Sequence, residues 1–143
     1  MDKASEYATE LLKRHEGERS KVYMCSEGVP TIGIGRNLRD KGLSQDEIQY
    51  LFTNDLCDSI DTCSQYPYWP NIGEARQAAL IDMAFQLGAR GLSGFKKMHE
   101  ALQCGDWQTA SIECLDSKYA TQTPARAKEI SNILLYGVIS NAT

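Results

Sequence analysis

At 143 residues, with 42% apolar and 24% charged positions, the chain has the size and composition of one soluble domain whose core needs no metal or disulfide staples. Fifteen basic against nineteen acidic residues leave a net charge of −4, which argues against a nucleic-acid binder relying on phosphate contacts. No apolar run approaches the ~20 residues of a bilayer span, and the charges of Asp2, Lys3 and Glu6 fall where a secretion signal needs its apolar stretch. Neither stable membrane insertion nor general secretory export is therefore expected.

Ala4, Tyr7, Ala8, Leu11 and Leu12 recur at helical spacing, with Gly17 as the stop. Glu16 then falls in the last turn, at the negative pole of the helix dipole. Lys21 to Cys25 and Thr31 to Gly35 read as two short strands around the turn Ser26-Glu27-Gly28. Gly33 and Gly35 alternate with Ile32 and Ile34, a pattern that lets a helix or ligand approach the backbone closely. Ser44-Gln45-Asp46-Glu47 is a capping box opening a helix that runs to about Cys63, with Ile48, Leu51, Phe52, Leu56 and Ile60 as its apolar stripe.

The Pro-bearing aromatic loop Gln65 to Asn71 is the best candidate for a lobe boundary. Beyond Gly73 the pattern is helical throughout. Ala75 to Leu87 is apolar on more than one face, as a central helix should be. Phe95 to Cys104 ends at Gly105, Asp106 caps the next helix, and Thr123-Pro124 opens a last one stopped by Gly137. The expected class is α+β, predominantly helical, in one domain over 1–143: a small mixed lobe at about 14–64 and a helical lobe at about 1–13 and 65–143.

Cys25, Cys57, Cys63, Cys104 and Cys114 form no C-x-x-C pair, and His15 and His99 stand alone, so neither a metal site nor a cofactor is expected. An odd thiol count without a secretion signal fits a reducing cytoplasm. Cys57, Cys63, Cys104 and Cys114 read as small core hydrophobes.

Glu16, Cys25 and Thr31 stand out chemically. One carboxyl and two small polar groups brought round by a hairpin suit a bond that needs protonation on one side and a held water on the other, the requirement of glycoside hydrolysis. Glu27, in the turn, is a lesser candidate for a supporting carboxylate.

Glu16-Gly17, Cys25 and Thr31-Ile32-Gly33-Ile34-Gly35 closely resemble the active-site signature of phage-type lysozymes, the glycoside hydrolase family of the T-even phages. Leu51-Phe52 with Asp55, the stretch Ala78 to Gly88, and Gln122-Thr123-Pro124-Ala125-Arg126-Ala127-Lys128 resemble later elements of the same family, in the same order. The resemblance implies a two-lobed muramidase cutting the β-1,4 bond between N-acetylmuramic acid and N-acetylglucosamine. It makes Glu16 the general acid and has Thr31 help hold the attacking water; for Cys25 two roles stay open, positioning and activating that water with Thr31 or stabilising the oxocarbenium-like transition state. Phe85 and Gln86 would lie in the sugar cleft, and Arg126 would pair with the acid across the lobes.

The same resemblance implies a monomeric endolysin. It would be held in the host cytoplasm until a holin opens the membrane, then act on peptidoglycan glycan strands in the periplasm and lyse the host. Two positions depart from the family. Cysteine stands at 25, where aspartate is common, and Arg36 stands where the T-even member has histidine, with Asp55 as its expected ion-pair partner. The loss of a second carboxylate keeps two alternatives open, a lytic transglycosylase working with Glu16 alone and a catalytically inactive wall-binding protein.

Overall fold

The computed structural model describes residues 2–139. The chain divides into two compact units, Met1–Tyr50 and Leu51–Thr143, and the division falls inside a helix.

In the first unit, α1 (Lys3–Glu16) opens on Asp2, whose carboxylate accepts the Ser5 N–H at 2.8 Å, and closes on Gly17, whose N–H reaches the Lys13 carbonyl at 2.9 Å. A three-stranded antiparallel sheet follows in the order β1 (Arg19–Met24), β2 (Pro30–Gly33), β3 (Arg36–Asn37). Thr31 sits on the middle strand, opposite Tyr23 of β1 and Asn37 of β3. The sequence pattern alone carries the second strand through Gly35 and marks no third. The chain instead turns back at Ile34–Gly35, because Gly33 and Gly35 both adopt positive φ (68° and 72°) and so make a tight hairpin.

The capping box forms as expected. Glu47 N–H donates to Ser44 Oγ at 3.2 Å, and Ser44 N–H donates back to Glu47 Oε1 at 2.8 Å, starting α2 (Gln45–Ser64).

The second unit is helical: the end of α2, a 3₁₀ turn at Trp69–Asn71, α3 (Glu74–Ser93), α4 (Lys96–Cys104), α5 (Trp107–Leu115), α6 (Lys118–Gln122) and α7 (Pro124–Tyr136). Its core holds Leu80, Met83, Leu92, Met98, Leu102 and Leu134 fully buried, each contributing about 1.5–3 kcal/mol. α3 is broken at Gly88, whose φ of 75° leaves the helical region. The five-residue α6, capped by Ser117, was not read from sequence. Buried Ser111 and Ser131 share a hydrogen bond of 2.6 Å that ties α5 to α7.

All five cysteines are free thiols. Cys63 and Cys114 are core residues as expected, but Cys57 and Cys104 are exposed, which corrects their reading as core hydrophobes. Among the described residues no helix is long and apolar enough to cross a membrane.

Candidate active site

Glu16 is the last residue of α1, and only Gly17 and Glu18 separate it from β1. That short link keeps its carboxyl beside the sheet. A methyl group on Gly35, at the tip of the β2–β3 hairpin, would stand 2.9 Å from both Cδ and Oε2 of Glu16. The acid thus rests on bare backbone, and the close approach anticipated for the glycine pair occurs at Gly35, with the preceding helix as the visitor. Gly33 has open space where its Cβ would be.

Cys25 follows β1 directly and is half-buried in the turn to β2, where its N–H reaches the Val29 carbonyl at 3.1 Å. Backbone N–H groups of Val29, then Glu27, direct hydrogen bonds at the sulfur and hold the thiol below its ordinary range. The Thr31 hydroxyl adds to this, while desolvation and the Glu27 carboxylate oppose it. Arg19 lies over the Tyr23 ring, 4.5 Å from its centroid, so the lowering comes from the amides of the turn.

Thr31 is buried, and its hydroxyl donates to the Val29 carbonyl at 2.8 Å. A hydroxyl carries one proton, so it serves either that carbonyl or the sulfur, and its oxygen still has a lone pair to accept from a water.

Arg36 corrects another expectation. Its guanidinium engages Glu47, at 2.7 Å to Oε1 and 2.6 Å to Oε2, and the Gly42 carbonyl at 3.1 Å, in place of the anticipated Asp55. Arg36, with the Ser44 capping contacts, draws the Glu47 carboxyl down to about 2.

The other three predicted residues lie in the helical unit. Phe85 is 42% exposed, its ring 5.8 Å from that of Phe52, and it lines a cavity of about 220 Å³ with Asp55, Asp58, Ser59 and Thr62. Gln86 Nε2 donates to Thr123 Oγ1 at 3.1 Å, and Thr123 Oγ1 donates to the Tyr119 carbonyl at 3.1 Å. Thr123 is thus the N-cap of α7 by position, but its side chain makes no capping bond. The Oε1 of Gln86 and the hydroxyl of Tyr119 are buried without a partner among the described residues.

Arg126 Nε pairs with Asp82 Oδ1 at 2.8 Å. Asp82 falls within the Ala78–Gly88 stretch but carries no motif of its own. Its position four residues before Gln86, on one face of α3, was the available signal.

Residues 13–130 match the phage lysozyme family. The chain belongs to that family. It is 35% identical to the pre-baseplate central spike protein Gp5 of Enterobacteria phage T4, over 90% of this chain but 27% of that protein. It is 29% identical to a probable T4-type lysozyme 2 of Dictyostelium discoideum, over 91% of this chain and 94% of that protein. It is also 29% identical to an endolysin of Salmonella phage P22, over 79% and 82% respectively. This phage lysozyme family member therefore spans about a quarter of the spike protein and most of the other two relatives.

Proposed function

We propose that this phage lysozyme family member is a muramidase, hydrolysing the β-1,4 bond between N-acetylmuramic acid and N-acetylglucosamine in peptidoglycan. Glu16 donates its proton to the glycosidic oxygen as the C1–O bond breaks. A water attacks C1 from the opposite face. It donates one hydrogen bond to Thr31 Oγ1 and gives its other proton to the Cys25 thiolate, so the anomeric centre inverts. Solvent returns the proton from Cys25 to Glu16 and closes the cycle.

The observation that carries this reading is the Glu16 carboxyl seated against Gly35, on the small sheet whose middle strand bears the buried Thr31; the amides of the Cys25–Val29 turn, which lower the thiol's pKa, support it. A thiolate supplies the base that the absent aspartate would have been. Phe85, Gln86 and Arg126 serve as the sugar-binding residues. The same reading takes 1–143 as one lysozyme-like domain that acts on cell walls as an endolysin, released by a holin to lyse its host.

Glu16→Gln should lower kcat by about 10²–10⁴-fold or more, measured on purified peptidoglycan with products read by mass spectrometry. Ordinary reducing ends are expected. Dominant 1,6-anhydro ends would make the protein a lytic transglycosylase. Wild-type protein that binds sacculi without cutting them would make it an inactive wall binder.

A further inference from the structure

The Glu16 carboxyl rests against Gly35, and the next residue along the hairpin is Arg36. β3 comprises only Arg36 and Asn37, paired to Ile32 and Thr31. So short a strand has little ladder of its own to fix where the Ile34–Gly35 turn lies. Side-chain anchoring does that work: the half-buried Arg36 guanidinium bridges the Gly42 carbonyl and both oxygens of Glu47.

Glu47 is itself held. Its Oε1 accepts the Ser44 N–H and its own N–H donates to Ser44 Oγ, so the carboxylate that grips the hairpin is also the one that starts α2. A capping glutamate needs only the Ser44 contacts. An ordinary surface ion pair needs no fixed partner geometry and is worth little. Neither accounts for one carboxylate locked from both sides next to the wall of the acid.

We propose that Arg36 and Glu47 are positioning residues for Glu16, their ion pair fixing the Ile34–Gly35 turn against which the acid's carboxyl sits. This rests on Glu16 being the general acid. The route is mechanical: the backbone N–H of residue 44, which Ser44→Ala retains, steadies the Glu47 carboxylate, Glu47 fixes Arg36, and Arg36 fixes the adjoining Gly35 backbone. Loss of the pair lets the turn shift, and the carboxyl shifts with it. Substrate binding is untouched, so the effect falls on kcat and leaves KM alone.

The test measures kcat and KM separately on soluble, uncrosslinked peptidoglycan fragments, with thermal melts on the same preparations. Glu47→Gln and Arg36→Gln should each lower kcat by about 10- to 10²-fold, with KM changed less than about twofold. Arg36→Lys should recover part of that loss. Gly35→Ala, which pushes a methyl into the carboxyl, should resemble Glu47→Gln in kcat. Ser44→Ala removes a capping contact but leaves the ion pair; it should lower the melting temperature while keeping wild-type kcat.

Full kcat in Glu47→Gln overturns the proposal, as does a Ser44→Ala loss of kcat equal to that of Glu47→Gln, since the effect would then be helix stability. Glu16→Gln separates the two levels. If it is inactive and Glu47→Gln is fully active, positioning alone fails; if Glu16→Gln is itself active, the muramidase reading fails with it.

Discussion

A sulfur ringed by amides behaves differently from a buried one. Cys25 is held below the ordinary thiol range by the turn, whereas burial pushes Cys63 to about 11 and Cys114 to about 12. Iodoacetamide at neutral pH should therefore label Cys25 ahead of the exposed Cys57 and Cys104 and leave the two core thiols intact; peptide mapping of a time course reads the order. Cys25→Ala should lose about 10²-fold or more in kcat and Cys25→Asp should keep most of it. Full activity in the alanine variant would leave the sulfur without a catalytic part. The sequence presented Cys25 as a substitution for aspartate, which identified the position. It could not give the direction in which the thiol's pKa moves, which depends on where the Val29 and Glu27 amides point once the turn is closed.

At the scale of elements, what was local could be read and what was distant could not. The Ser44–Glu47 box, the Asp106 cap and the Gly17, Gly105 and Gly137 stops follow from contacts within four residues, and all stand where the pattern put them. β3 was missed because two residues carry no periodicity, and the Arg36–Glu47 pair because eleven residues separate its members. The end of α7 shows the same limit. Gly137 has φ 69°, which its sequence position suggested, but a methyl there would also stand 2.9 Å from the Arg76 guanidinium. That group donates to the Leu134 and Leu135 carbonyls and lies 3.8 Å from the centroid of Trp107. Gly137→Ala should cost about 1–3 kcal/mol from the strained backbone and the displaced arginine together, measured by urea denaturation.

The loop leading into the 3₁₀ turn meets α4 in an aromatic stack. Tyr66 lies on His99 at 4.2 Å, the Tyr68 hydroxyl donates to His99 Nδ1 at 2.6 Å, and His99 Nε2 donates to the Leu92 carbonyl at 2.8 Å. In the neutral ring that keeps its proton on Nε2, Nδ1 accepts the Tyr68 O–H and both ring nitrogens are satisfied. Burial accordingly lowers the His99 pKa, with the Leu92 contact opposing. The unfolded chain then binds the proton more readily than the folded one. Stability is whole above about pH 6.5 and falls as pH drops below it, by at most about 1.4 kcal/mol per pH unit. Urea midpoints at pH 7.5 and 5.5 should differ less in His99→Gln than in the parent protein.

For the molecule as a whole, the class was legible: a small sheet and a helical majority follow from the change in hydrophobic period near Gly73. The two units part at Tyr50–Leu51, inside α2, where an unbroken helical pattern carries no mark of a boundary. The two units also meet acid on different terms. The first is clasped by a guanidinium that never titrates in this range and a carboxylate that stays charged until about pH 2; its contribution is complete above the ordinary glutamate range and fades only below it. The second carries a buried imidazole whose neutral form is favoured by desolvation. Mild acidification therefore reaches the helical unit first, where Trp69 and Trp107 would report the change by their fluorescence, while the hairpin and its acid keep their arrangement.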